Sequence, residues 1–97
     1  MSPGTRLEQY TLKRPSEVLL VTARTPDGED QVAIFRGFSS SLTRPTAYDP
    51  DIPVLPADAE ILSVDRLQGP YDPANPVYLQ QGLSWGEMQE LLTSLGL

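Results

Sequence analysis

A chain of 97 residues with no cysteine and no histidine cannot build a disulfide, a thiolate nucleophile or an imidazole base from its own side chains. Thirteen acidic residues against seven basic ones leave a net charge of −6, which opposes binding to a phosphate backbone. No run reaches the roughly 18 apolar residues that a membrane-spanning helix needs, so membrane insertion is not expected.

The length suits a single domain over residues 1–97. The first ten residues lack both a secretory core and a basic amphipathic pattern, and the chain reads as soluble and intracellular. With the usual acid–base and nucleophilic partners missing, the expectation is a protein that is not an enzyme and that needs neither cofactor nor metal.

Met1–Thr5, interrupted by Pro3 and Gly4, is expected to be loose. From Leu7 to Lys13 the alternation of Leu7, Gln9 and Thr11 with Glu8, Tyr10 and Leu12 predicts a short first strand that ends at Pro15. Glu17–Arg24 is a continuous apolar run rich in β-branched residues, as in a strand covered on both sides. Thr25-Pro26-Asp27-Gly28 supplies a tight turn, and Gln31–Phe38 returns as the second strand of an antiparallel hairpin. In that hairpin Arg36 is expected on the face of Val32, Ile34 and Phe38.

Gly37–Pro56, with Pro45, Pro50, Pro53 and Pro56, reads as a long ordered loop of the kind that usually serves a function. Ala59–Leu67 predicts another strand, although its alternation is imperfect. Gly69–Tyr78 is a second proline-rich connection, and Thr43–Tyr48 or Val77–Leu79 could add edge pairing. The last element is a helix over about 84–95. Ser84 and Glu87 form its capping box, Leu83 and Met88 its hydrophobic staple, and Gly96 its stop. Trp85, Met88, Leu91, Leu92 and Leu95 give it one apolar stripe. Together these elements predict a mainly β, α+β fold: a small twisted antiparallel sheet or partly closed barrel with one C-terminal helix.

Three constellations carry possible chemistry. Ser39, Ser40 and Ser41, followed by Thr43 and Arg44, offer hydroxyls, amides and a guanidinium to an anion; a polar loop that satisfies its own backbone is the plainer reading. Asp49 and Asp51 set two carboxylates close enough to attract a hard cation, but turn aspartates are common and the spacing of a calcium loop is absent. Arg66 could pair with Asp49 or Asp51 and pin two loops together. Tyr48 and Tyr71, beside prolines, bring area and a polar tip suited to a binding surface. Ser39, Ser40, Ser41, Arg44, Tyr48, Arg66 and Tyr71 are therefore the candidate binding residues, with Arg44 the expected anchor.

The succession GFSSSLTRPTAYDPDIPVLP, SVDRLQGPYDPANPVYL and GLSWGEM resembles a small domain-of-unknown-function family of cyanobacteria and plant plastids. The resemblance implies a photosynthetic cell, with the protein in the cytoplasm or a plastid stroma, and supplies no functional residues. The expected function is a non-catalytic protein-interaction module, an accessory or assembly factor of a photosynthetic complex. The alternative is a nucleic-acid-associated small β-barrel, which requires Arg36, Arg44 and Arg66 to converge beside Tyr48 or Tyr71.

Overall fold

The computed structural model describes residues 3–26, 28–42, 55, 59–72 and 74–97. A helix, α1 (Pro3–Lys13), precedes the strands β1 (Glu17–Thr25), β2 (Gly28–Phe35), β3 (Phe38–Ser41), β4 (Glu60–Gln68) and β5 (Tyr78–Leu83), and α2 (Trp85–Ser94) closes the order. The strands form one antiparallel sheet in the order β3-β2-β1-β4-β5. β3 and β5 are its edges, so the sheet is open. The expectation of a small β-barrel is thereby corrected: no pairing joins the two ends.

β1 lies at the centre and its side chains alternate between two apolar clusters. Leu19, Val21 and Ala23 join Val32, Ile34, Ile61 and Val64 beneath Leu7 and Tyr10 of α1 and Met88 and Leu92 of α2. Val18 and Leu20 point the other way and pack with Leu67, Ala33, Phe35 and Tyr71. Both described helices thus cover one face of the sheet, and no helix among the described residues lies on the opposite face. The imperfect alternation of β4 has a local cause. Thr22 pairs with Ser63 but Ala23 pairs with Ile61, so Leu62 is an extra residue, and the bulge returns Ile61 to the face of Val64.

The first expected strand is instead α1, and Met1–Thr5 is not a loose lead-in from Pro3 onward. Gly4, Leu7, Tyr10 and Thr11 are its buried positions, a helical spacing. Leu12, which completes the apparent strand alternation, is 55% exposed. A proline at the first helical position costs nothing, because that N–H has no intrahelical partner. Thr11 Oγ accepts the Gly37 N–H at 2.8 Å and donates to the Glu8 carbonyl at 2.7 Å, which fixes α1 against the β2–β3 turn.

The β1–β2 hairpin forms as expected, but β2 ends at Phe35 rather than Phe38. Arg36 and Gly37 have φ of 49° and 84°, the positive values a two-residue hairpin turn requires at both central positions. Phe38–Ser41 therefore turns back as β3, pairing Phe38 with Phe35 and Ser40 with Ala33. The remainder of the expected long loop lies outside the described residues except for Leu55, which is buried and sits in close approach to Gly4.

The C-terminal helix matches its prediction closely. Ser84 Oγ accepts the Glu87 N–H, and Glu87 Oε1 accepts the Ser84 N–H, each at 3.1 Å. At the other end Gly96 N–H bonds to Thr93 O and Leu97 N–H to Leu92 O, with Gly96 at φ 77°. Met88 and Leu92 are fully buried; Trp85, Leu91 and Leu95 are partly buried beside them. Lys13 and Arg6 of α1 donate to the carbonyl oxygens of Leu95 and Leu97, where the end of α2 concentrates negative potential.

Candidate functional site

Among the described residues two places gather chemistry. The first is a buried polar cluster on the helix-covered face. Glu17 opens β1, and its Oε1 accepts the Tyr10 hydroxyl at 2.7 Å and Arg66 Nε at 2.9 Å. Arg66 pairs across β4 with Leu19, so it shares the helix-covered face, and its second nitrogen reaches Gln80 Oε1 at 2.9 Å. Burial, and then the bond to Glu17, push the Tyr10 hydroxyl up to about 12. The bond to Glu17 holds Arg66 still more firmly protonated. Near neutrality this gives a fixed donor, a fixed cation and one acceptor. Their arrangement ties α1, β1, β4 and β5 together. The partner expected for Arg66 was Asp49 or Asp51; the pairing is with Glu17, and both aspartates lie outside the described residues.

The second place is the helix-free face. Val18, Ala33 and Phe35 floor a groove of about 490 Å³, flanked by Phe38, Ser40, Pro70, Tyr71 and Arg36. Strand pairing accounts for the floor: Val18, Phe35 and Phe38 are successive cross-strand partners and so point to the same side. The Gly69–Pro70 peptide is cis, and the chain turns over this face beside Phe35 and Val18. Gly69 fits because it has no side chain; a Cβ there would stand 2.9 Å from Phe35 Cε1 and 3.0 Å from the Ser16 carbonyl oxygen. Phe38 is 79% exposed, the most open of the large apolar side chains among the described residues. The Arg36 guanidinium lies 4.9 Å from the centre of the Phe35 ring.

The expected site residues are divided by this geometry. Ser39 and Ser41 point away from Ser40: Ser39 Oγ donates to Glu8 Oε2 at 2.8 Å and Ser41 Oγ to the Asp30 carboxylate at 3.0 Å. Neighbouring carboxylates thus receive two of the three hydroxyls, and the serines do not line one concavity. Ser40 and Tyr71 line the groove, Arg66 belongs to the buried cluster, and Arg44 and Tyr48 lie outside the described residues. Arg36 and Arg66 project to opposite faces of the sheet, so the convergence that a nucleic-acid reading required is not present between them. Arg36 itself is corrected: it sits in the turn over Phe35, not on the face of Ile34.

Phe35, Phe38, Tyr10, Glu17 and Gln80 were not singled out by sequence. A signal for the first two existed, an X-Gly pair between aromatics, which marks a two-residue hairpin as readily as a continuous strand. Among the described residues no group of three or more Asp, Glu, His or Cys is placed to hold a metal ion. No described helix is long and apolar enough to cross a membrane.

The family model DUF7734, a domain of unknown function, matches residues 4–92, and the chain belongs to that family. No curated protein and no solved structure matches the chain. The family description names neither an organism nor a role. The expected link to cyanobacteria and photosynthesis is therefore withdrawn.

Proposed function

We propose that this domain is a non-catalytic protein-interaction module that receives its partner on the helix-free face of the sheet. The observation that carries the reading is Phe38, 79% exposed at the mouth of an apolar groove whose floor is the centre of a five-stranded sheet. Large apolar side chains grouped at the surface mark interaction sites, and aromatic residues beside an arginine are the usual anchors of binding energy. A floor made of strands is already ordered before contact, so little freedom is lost when a partner docks. The polar cluster of Tyr10, Glu17 and Arg66 supports the same reading, since its groups hold elements together rather than face a substrate cavity.

The test places a photo-reactive benzoylphenylalanine at position 38 and, as a control, at Glu90, an exposed position on α2. Irradiation in an extract of the source cells is expected to give a discrete protein adduct from position 38 and none from position 90. Equal labelling from both positions, or none from position 38, would overturn the proposal.

A further inference from the structure

Arg36 occupies a backbone conformation that suits it poorly. At φ 49° a side-chain-bearing residue crowds its own carbonyl, and glycine or asparagine fills such turn positions with less strain. A strained residue that also sits at a surface cavity points to a function for its side chain. That side chain is exposed, lies over the Phe35 ring and flanks the groove. Stacking fixes the guanidinium plane while leaving its edge N–H groups free to grip a carboxylate with two parallel bonds. Phe38, one residue past the turn, stands beside it in solvent.

Resting on the docking face proposed above, we infer that the groove takes an acidic–aromatic peptide segment. In this arrangement a large apolar side chain lies against Phe35 and Phe38, and a neighbouring carboxylate pairs with Arg36. The pairing selects a carboxylate by its position beside the apolar contact rather than by net charge. A domain of charge −6 repels acidic partners at long range, so the local cation has to be held where the apolar contact is made.

The probes are the blocked tetrapeptide acetyl-Leu-Phe-Asp-Leu-amide and its Asn and Lys analogues, titrated into the full chain labelled with ¹⁵N at low salt. The Asp peptide is expected to shift the amide signals of Phe35, Arg36, Phe38 and Tyr71. It should bind about two- to fivefold more tightly than the Asn peptide, the range an exposed ion pair supports, and the Lys peptide should bind more weakly than either. Arg36→Asn, which suits the turn, should keep the fold and erase the difference between Asp and Asn; Phe38→Ala should weaken all three. Equal binding of the Asp and Asn peptides at the groove would overturn this inference and leave the docking face standing. Decanoate binding there as tightly as the Asp peptide would also overturn it. If no peptide shifts the groove signals and position 38 gives no adduct, both readings fall.

Discussion

On one side of the sheet Leu19, Val21, Ile34 and Val64 lie under Leu7, Tyr10, Met88 and Leu92 from two helices. On the other side Val18, Leu20 and Leu67 are met by Ala33, Phe35 and Tyr71, and Phe38 stands in solvent. The same three strands supply both sides, often from adjacent residues, and the apolar character of those residues does not distinguish them. What differs is the second layer. Under the helices the apolar stripe is sealed along its length, whereas on the other side Val18, Leu20 and Leu67 are buried with no described helix above them and the apolar surface opens at Phe35 and Phe38, where further burial is possible.

The largest expected effect is on the covered side. Leu92→Ala should lower unfolding stability by about 2–5 kcal/mol, because the cavity it leaves is closed in by both helices and the sheet. Urea denaturation followed by circular dichroism measures this. A loss under about 1 kcal/mol would mean that α2 is not integral to the core. Trp85→Ala should cost less than Leu92→Ala, since Trp85 is only partly buried.

The next effect is titratable. The Tyr10 hydroxyl has an ordinary value of 10 and stands at about 12 in the folded chain, so folding favours the protonated form. That contribution is complete below pH 10 and is lost as the pH rises through 12, with a magnitude on the order of 2 kcal/mol. The wild-type chain should lose stability more steeply than Tyr10→Phe over that interval. Near pH 7 the variant should be the weaker of the two by about 1 kcal/mol, for the lost bond to Glu17. Parallel stability curves for the two proteins between pH 9 and 12 would refute the assignment.

An intermediate effect is expected at Gly69. Gly69→Ala forces its new methyl group against Phe35 and the Ser16 carbonyl, and should cost about 1–3 kcal/mol while disturbing the groove signals. The smallest effect is expected on the open side. Phe38→Ala should change the denaturation midpoint by no more than about 0.5 kcal/mol, because the ring is 79% exposed. A large loss there would mean that the ring is core after all, and the contrast between the faces would collapse.

The sequence disclosed what was governed by local rules. The β1–β2 hairpin and the capped α2 follow from turn chemistry, a capping box and a stripe of helical spacing. α1 was hidden because two of its four buried positions are Gly4 and Thr11, while the apolar Leu12 faces outward. Pro3 at its start, and Pro15 soon after its end, were the better indicators. β3 was concealed by a turn that carries arginine where glycine or asparagine is usual. β5 was anticipated only as edge pairing at Val77–Leu79; its extent to Leu83 was hidden, since the register shifts on both sides of Arg66 blur any alternation. Of the candidate site, Ser40 and Tyr71 were legible. The aromatic floor and the Tyr10–Glu17–Arg66 cluster were not, because strand pairing and helix docking assemble them from residues distant in sequence.

The bonds from Lys13 and Arg6 to the end of α2 have a consequence in time. They join residues 82 and 91 positions apart, so α1, made before every described strand, meets this neighbour only after all of them. The hairpin can form early and receive α1, but the part of its inner stripe that α2 covers stays open until Leu92 has been made. At synthesis rates of about 5–20 residues per second, the stretch from Phe35 to Leu92 takes roughly 3–11 seconds. For that period the nascent chain displays apolar stripes on both sides of its sheet. A chaperone that shields Leu19 and Val21 therefore has a defined window of work, which ends when α2 arrives.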